Sequence, residues 1–363
     1  MFPPLILTVA ALSACEQSPA FTAAHSEASN PAIALEARRH AYERSISICP
    51  EDPHLYREYG DLLLEQHLFD KALAWIQKGL ALSPDNPDLR IAQAAALIPL
   101  NRPAEAIATL NGLLTPEAQF YRGMSYRLMQ QHTKSRDAFL ASWDAGYRNA
   151  YVLYAMIQED YALHDKQNGL SHFELLLKTY PDSAWVHLLL ADAYFVKGQN
   201  EPARAEYLKA IARKPDILEA NFRLGYIAFQ AGERDSALRY FQNEVTLNPG
   251  YADARVFLGE TLLQLDRRPQ AIEQFRAALA LDSNSALAYK RLATLLVETN
   301  QLDQAKQELT KAAEKFPADP AFPAQLARVF TLMHQPKEAE IAAARARTLT
   351  AEQHRAHEAL LNQ

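Results

Sequence analysis

Two cysteines, eleven histidines and 43 acidic residues are the side chains from which this chain could build a reaction. A catalytic metal needs several ligands that converge, and a nucleophile needs a neighbouring base. General acid–base work needs carboxylates in a setting that shifts their protonation. The spacing assembles none of these. The sequence holds no H-E-x-x-H, C-x-x-C, G-x-S-x-G, G-x-x-x-x-G-K or G-x-G-x-x-G pattern. His354 and His357 would share one helix face, but two imidazoles without a third ligand read as a solvated face. His132 and His164-Asp165 fall between periodic segments and read as polar turn residues. The carboxylates are scattered, with no pair set in an enclosed apolar site. The expectation is a chain that is not an enzyme and takes no cofactor and no metal.

The elements that would position these residues are legible from a repeat. Small residues stand at Gly60, Ala94, Gly123, Ala191, Gly225, Gly259, Ala293 and Ala327, and from Ala191 onward each is 34 residues from the next. Twelve positions after a small residue an alanine recurs, as at Ala203, Ala237, Ala271 and Ala305. Sixteen positions after comes a bulky apolar residue, as at Ile76, Phe139, Tyr207, Phe241 and Phe275. Pro84, Pro215, Pro249 and Pro317 close their units. A fixed period of this length means one supersecondary unit stacked on copies of itself. Around Gly225 the apolar residues recur at three and four, as on a helix face. Gly232 would cap that helix in the left-handed conformation, and Asn248-Pro249 would end the next one. Each unit is therefore predicted as helix, tight turn, helix, turn, with the small residues letting the two helices approach closely.

Leu190-Ala191-x-x-Tyr194, Gly198, Ala203, Tyr207, Ala210 and Pro215, and again Leu224-Gly225, Gly232, Ala237, Phe241 and Pro249, resemble the tetratricopeptide repeat. The resemblance implies an all-α fold, a right-handed superhelical solenoid of about nine helix-turn-helix units over residues 53–349. The unit at 150–183 departs most, with Ile157 and Gly169 in place of the expected small residue and alanine. In the resembled family the first helices line a concave surface. Its ligand stripe lies six and three residues before the small residue, and one and four after it. Carried onto this sequence, the stripe includes Trp185, Asp192 and Phe195, then Glu219, Phe222, Tyr226 and Phe229. In the irregular unit it includes Tyr151, Tyr154 and Tyr161. Tyr194, Tyr207, Phe241 and Phe275 fall instead at core positions. Concave aromatics edged with acids suit a peptide or protein partner that carries Lys or Arg and apolar residues. The family's Lys and Asn clamp for a terminal carboxylate is not matched, since Lys290 is followed one turn later by Thr294.

The first 14 residues are predicted as a signal peptide, with an apolar run from Leu5 to Ala14 too short to span a bilayer. Leu12-Ser13-Ala14-Cys15 resembles a bacterial lipobox, which implies lipidation of Cys15 and a lipid anchor in a membrane. Cys49 would then be a free, buried thiol. Residues 15–30 read as a flexible tether, 31–50 as an N-terminal capping helix beginning at Asn30-Pro31, and 350–363 as a C-terminal capping helix with Thr350 and Gln353 as its capping box. A net charge of −6 gives no basic footprint for nucleic acid. The expected function is a lipid-anchored, non-catalytic interaction scaffold on the periplasmic side of a bacterial envelope. Two alternatives stand beside it: a glycan- or peptidoglycan-recognising accessory subunit, and a cytoplasmic scaffold.

Overall fold

The computed structural model describes residues 15–361, with side chains through residue 355. The expected signal peptide, residues 1–14, lies outside the described residues. The described chain is all helical and divides into two compact units at Pro181 and Asp182.

The first unit stacks five antiparallel hairpins. They are α1 (Pro19–Ser29) with α2 (Leu35–Ile48), α3 (Pro53–Glu65) with α4 (Phe69–Leu82), α5 (Pro87–Leu97) with α6 (Pro103–Thr109), α7 (Pro116–Leu128) with α8 (His132–Asp144), and α9 (Ala150–Ala162) with α10 (Lys166–Thr179). The second unit stacks another five. They are α11 (Ala184–Val196) with α12 (Asn200–Arg213), α13 (Ala220–Gln230) with α14 (Arg234–Leu247), α15 (Ala252–Gln264) with α16 (Arg268–Leu281), α17 (Ala286–Glu298) with α18 (Leu302–Lys315), and α19 (Ala321–Leu332) with α20 (Pro336–Leu361).

Local chemistry explains the boundaries. Asp52, Asn86, Thr115, Asn149, Ser183 and Ser285 each accept a bond from a backbone N–H in the first turn of the helix they precede. Gly232 takes a φ of +74° just past α13, as the sequence predicts. The small residues set the packing distance within a hairpin. An added β-carbon would lie 2.5 Å from Ile76 at Gly60, and 2.8 Å from Phe139 at Gly123 or Phe275 at Gly259. The small residue of each first helix thus meets the bulky residue sixteen positions on, which is fully buried at Ile76, Phe139, Tyr207, Phe241 and Phe275.

The two ends differ from expectation. Residues 19–29 are helix α1 rather than a tether. Ser18 caps it, and Phe21, Ala24 and Ala28 form a narrow buried stripe. One phenylalanine and small alanines give a faint periodic signal, and only docking on the neighbouring helices makes it count. Asn30 is the C-cap of α1, not the start of the next helix, which begins at Leu35. At the other end α20 runs unbroken from Pro336 to Leu361. The Thr350 hydroxyl donates to the Ala346 carbonyl and caps nothing. No proline or glycine interrupts the segment, so the helix has no reason to stop there.

Cys49 is the C-cap of α2 and fully buried, as expected, but it is not free. Its sulfur is bonded to Cys15, with the two Cα atoms 5.5 Å apart. A sulfur in a disulfide cannot also carry a thioether, so this disulfide and the expected lipidation of Cys15 are two alternative states of one residue.

Candidate partner-binding surface

In the second unit the predicted stripe splits by depth. Phe222 is 7% exposed and belongs to the core, with its ring centroid 5.0 Å from Tyr251, 5.8 Å from Phe241 and 5.7 Å from Phe257. Its place on α13 points it between units. Tyr226 and Phe229, one and two turns on, remain half-buried. Phe257 of α15 joins them: its centroid is 5.2 Å from Tyr226 and 5.9 Å from Phe229. On the other side Phe195 of α11 meets Tyr226 edge-on at 6.0 Å. The Arg223 guanidinium lies over Phe195 at 5.3 Å. Phe195, Tyr226, Phe229 and Phe257 therefore form one partly open aromatic ridge on three first helices.

The acids beside it play different parts. Asp192 accepts a 2.6 Å bond from the Tyr207 hydroxyl. Burial pushes its carboxyl above the ordinary range, against the opposing pull of Tyr207 and Arg223. It is turned inward and holds the hairpin together. Glu219 is exposed, with its backbone left-handed at a φ of +67°. Trp185 is half-buried on α11. Tyr194, expected in the core, is 37% exposed.

In the first unit Tyr151 and Tyr154 are half-buried, with centroids 6.0 Å apart. The Tyr151 ring meets Phe120 at 5.8 Å and its hydroxyl donates to the Met124 sulfur. Tyr161 stands 83% exposed.

Beside these tyrosines lies a feature the sequence reading missed. Glu159 and Asp160 are adjacent carboxylates, 1% and 0% exposed. Glu159 takes His132 at 2.8 Å and Arg127 at 3.6 Å. Asp160 takes His172 at 2.6 Å and Arg136 at 3.6 Å. His132 is therefore a buried-carboxylate partner at the start of α8 rather than a polar turn residue. The signal was available from phase. One period later, Glu159 and Asp160 correspond to Ala193 and Tyr194, and two periods later to Ile227 and Ala228. Charges in apolar slots of a repeat need partners, and here each carboxylate has one cation and one imidazole.

Among the described residues no cluster of three or more His, Cys, Asp or Glu could hold a metal ion. No helix among them is long and apolar enough to cross a membrane. What the face offers is aromatic edge, half-buried hydroxyls and exposed acid.

Repeated helical hairpins with small residues opposed to aromatics define a class of stacked-repeat proteins. A tetratricopeptide repeat model matches residues 24–87, 154–216, 188–252 and 222–286, and a second matches 268–322. These matches take in more than half of the chain, which belongs to the tetratricopeptide repeat family. The first match takes in the second half of α1 and all of α2, so the repeats begin before residue 53, where the sequence analysis starts them. The human protein O-mannosyl-transferase TMTC1 is 23% identical over 184 residues, which are 48% of this chain and 21% of that protein. The chain thus spans about a fifth of that relative's length. Among solved structures, that of the APC/C hetero-tetramer Cut9-Hcn1 superposes with a TM-score of 0.57 at 17% identity, over 85% of this chain and 62% of that one. It shares the fold. A crystal structure of MamA gives a TM-score of 0.44 at 21% identity, over 46% of this chain and 97% of that one.

Proposed function

We propose that this chain is a non-catalytic scaffold that binds protein partners along its first-helix faces, with the ridge Phe195, Tyr226, Phe229 and Phe257 as the principal anchor. The observation that supports this is the split in depth on α13. Phe222 is spent on packing while Tyr226 and Phe229, on the same helix, stay partly open. Aromatics held rigid by neighbouring rings give large contact area at small entropic loss, which is the character of binding hot spots. Exposed Glu219 beside the ridge favours partners that bring Lys or Arg together with apolar side chains. Such acids act mainly on association rate and its salt dependence.

The chain is exported in this reading. A disulfide between Cys15 and Cys49 suits an oxidising compartment, as does the apolar run Leu5–Ala14. Anchoring through a lipid on Cys15 and closing this disulfide are alternative fates of one sulfur.

The binding experiment uses a peptide library of mixed basic and aromatic sequences, with a glycan array as the contrasting probe. Tyr226→Ala and Phe229→Ala should each lower affinity for captured peptides by about 2 kcal/mol while lowering the thermal melt far less than Phe222→Ala does. Unchanged affinity in both folded variants would remove the ridge from the function. Capture on the glycans alone would replace protein by saccharide as the ligand class.

A further inference from the structure

The start of α13 departs from the phase that α11, α15 and α17 keep. The helices α11, α15 and α17 begin at Ala184, Ala252 and Ala286, in step with the period, so α13 is due at Leu218. It begins at Ala220 instead. Ser183 and Ser285 cap α11 and α17 and Tyr251 before α15 makes no side-chain cap, while the equivalent position before α13 is Ile217, fully buried and unable to accept a bond. A second departure sits in the facing helix. Where the neighbouring hairpins have Ala210, Ala278 and Ala312, all fully buried, α14 has Glu244, also fully buried.

The two departures meet. Glu244 Oε1 accepts the Glu219 N–H at 3.0 Å, and Oε2 accepts the Phe222 N–H at 3.3 Å. Glu219 itself sits at a φ of +67°, a conformation that L residues with a β-carbon seldom adopt. Both Glu244 oxygens are met by backbone N–H groups, and no cation figures among the groups that shift its carboxyl. The titratable and charged groups at this end of the hairpin are Glu219 and Arg223 from the α13 side, and Tyr251 and Asp253 from the start of α15. A carboxylate at a helix N-terminus gains from the helix dipole as well as from the two N–H bonds.

We propose that Glu244 is a positioning residue for the α13 face, its ionised carboxylate holding the delayed, left-handed helix start that orients Phe222, Tyr226 and Phe229, and its protonation releasing that turn. A protonated carboxyl has one oxygen committed to O–H, which faces an N–H and cannot accept as the carboxylate does. One of the two bonds is then lost. The consequence for partner binding rests on the function proposed above; the backbone device does not.

Burial raises the Glu244 carboxyl above the ordinary range, with Glu219 adding to the rise and the two N–H bonds opposing it. The folded chain therefore favours the protonated form more than the unfolded chain does. Through this group global stability is fully present below the ordinary carboxylate range and declines as pH rises through the raised value. The local cap runs the opposite way, because it needs the ionised form. A proton here loosens one turn without weakening the stack.

Hydrogen exchange of the full-length chain, read per amide and corrected for intrinsic rates, tests this. On lowering the pH from about 8 to about 5, protection of the Glu219 and Phe222 amides should fall about tenfold, the loss of one bond of roughly 1.4 kcal/mol. In Glu244→Gln the protection should be low at both pH values. In Ile217→Ser combined with Glu244→Ala, which restores the cap and slot of the neighbouring hairpins, it should be high at both. PH-independent protection in the native chain would overturn the proposal. So would native behaviour in Glu244→Gln, or a loss spread evenly over residues 182–363. If Glu244→Gln does not fold, the native pH profile and the double variant decide.

Discussion

The ring of Phe241 lies against the backbone of Gly225, so close that a β-carbon on residue 225 would stand 2.8 Å from Phe241 Cδ1. The two residues are sixteen apart and belong to the two helices of one hairpin. Their contact is the unit from which the fold is repeated.

Gly225→Ala is therefore expected to destabilise, although alanine is the better helix former. Overpacking of this kind costs about 1–3 kcal/mol, against at most about 1 kcal/mol gained in helix propensity. Gly225→Leu should be worse. Stacked repeats couple mainly to their neighbours, so hydrogen exchange should rise in α12 to α15 and stay near native elsewhere.

Phe222 and Phe229 lie two turns apart on α13 and should give opposite results. Phe222→Ala removes a buried ring surrounded by Tyr251, Phe241 and Phe257, and should cost about 3–5 kcal/mol in a denaturant melt. Phe229→Ala removes a half-open ring and should cost much less stability than that, while weakening peptide capture. Equal stability losses would mean that both rings are core.

The second unit should be acid-sensitive near α11. His187 is buried, with Nδ1 2.6 Å from Glu206 and Nε2 3.0 Å from Asp182. Arg213 and then His187 hold the Asp182 carboxyl below its ordinary range. At Glu206 burial acts to raise the carboxyl, but Lys209 and His187 outweigh it and keep it low. Both carboxylates are thus more acidic folded than unfolded. Their stabilisation is present above the ordinary carboxylate range and lost as pH falls through the depressed values. His187→Ala should flatten the acid limb of the thermal stability profile at pH values below about 4.

Cys15 offers a direct measurement. Intact-mass analysis of the native protein should show a loss of two hydrogens that returns on reduction, and Cys49→Ser should abolish it. The disulfide closes a loop of a little over 30 residues, for which the chain-entropy model gives about 3–4 kcal/mol. A diacylglycerol adduct on Cys15 in a membrane fraction would replace the disulfide with an anchor.

The repeat was written in the sequence because its cause is steric and local. A small residue and a bulky apolar residue sixteen on must recur where two helices are to approach closely, so the period gave the hairpins from Pro53 to Leu82 and from Ala184 to Lys315 with their turns, while the units between them depart from it, most at Ile157 and Gly169. Depth on a helix face was not legible in the same way. Phe222 and Tyr226 share the stripe by spacing, and only the ring of Tyr251 and the packing of α15 decide that one is core and the other is open. Burial of charge needed the third dimension too. Glu159, Asp160 and Glu244 stand in apolar or small slots of the repeat, a departure visible by alignment of one unit with the next. Whether such a carboxylate is tolerable depends on donors supplied from elsewhere in the chain. His132 comes from 27 residues away, and the backbone N–H groups of Glu219 and Phe222 from the facing helix. Nor could spacing assign the partner of Cys15, because a disulfide needs the Cα atoms brought within bonding reach, and it is the packing of α1 against α2 that brings them there.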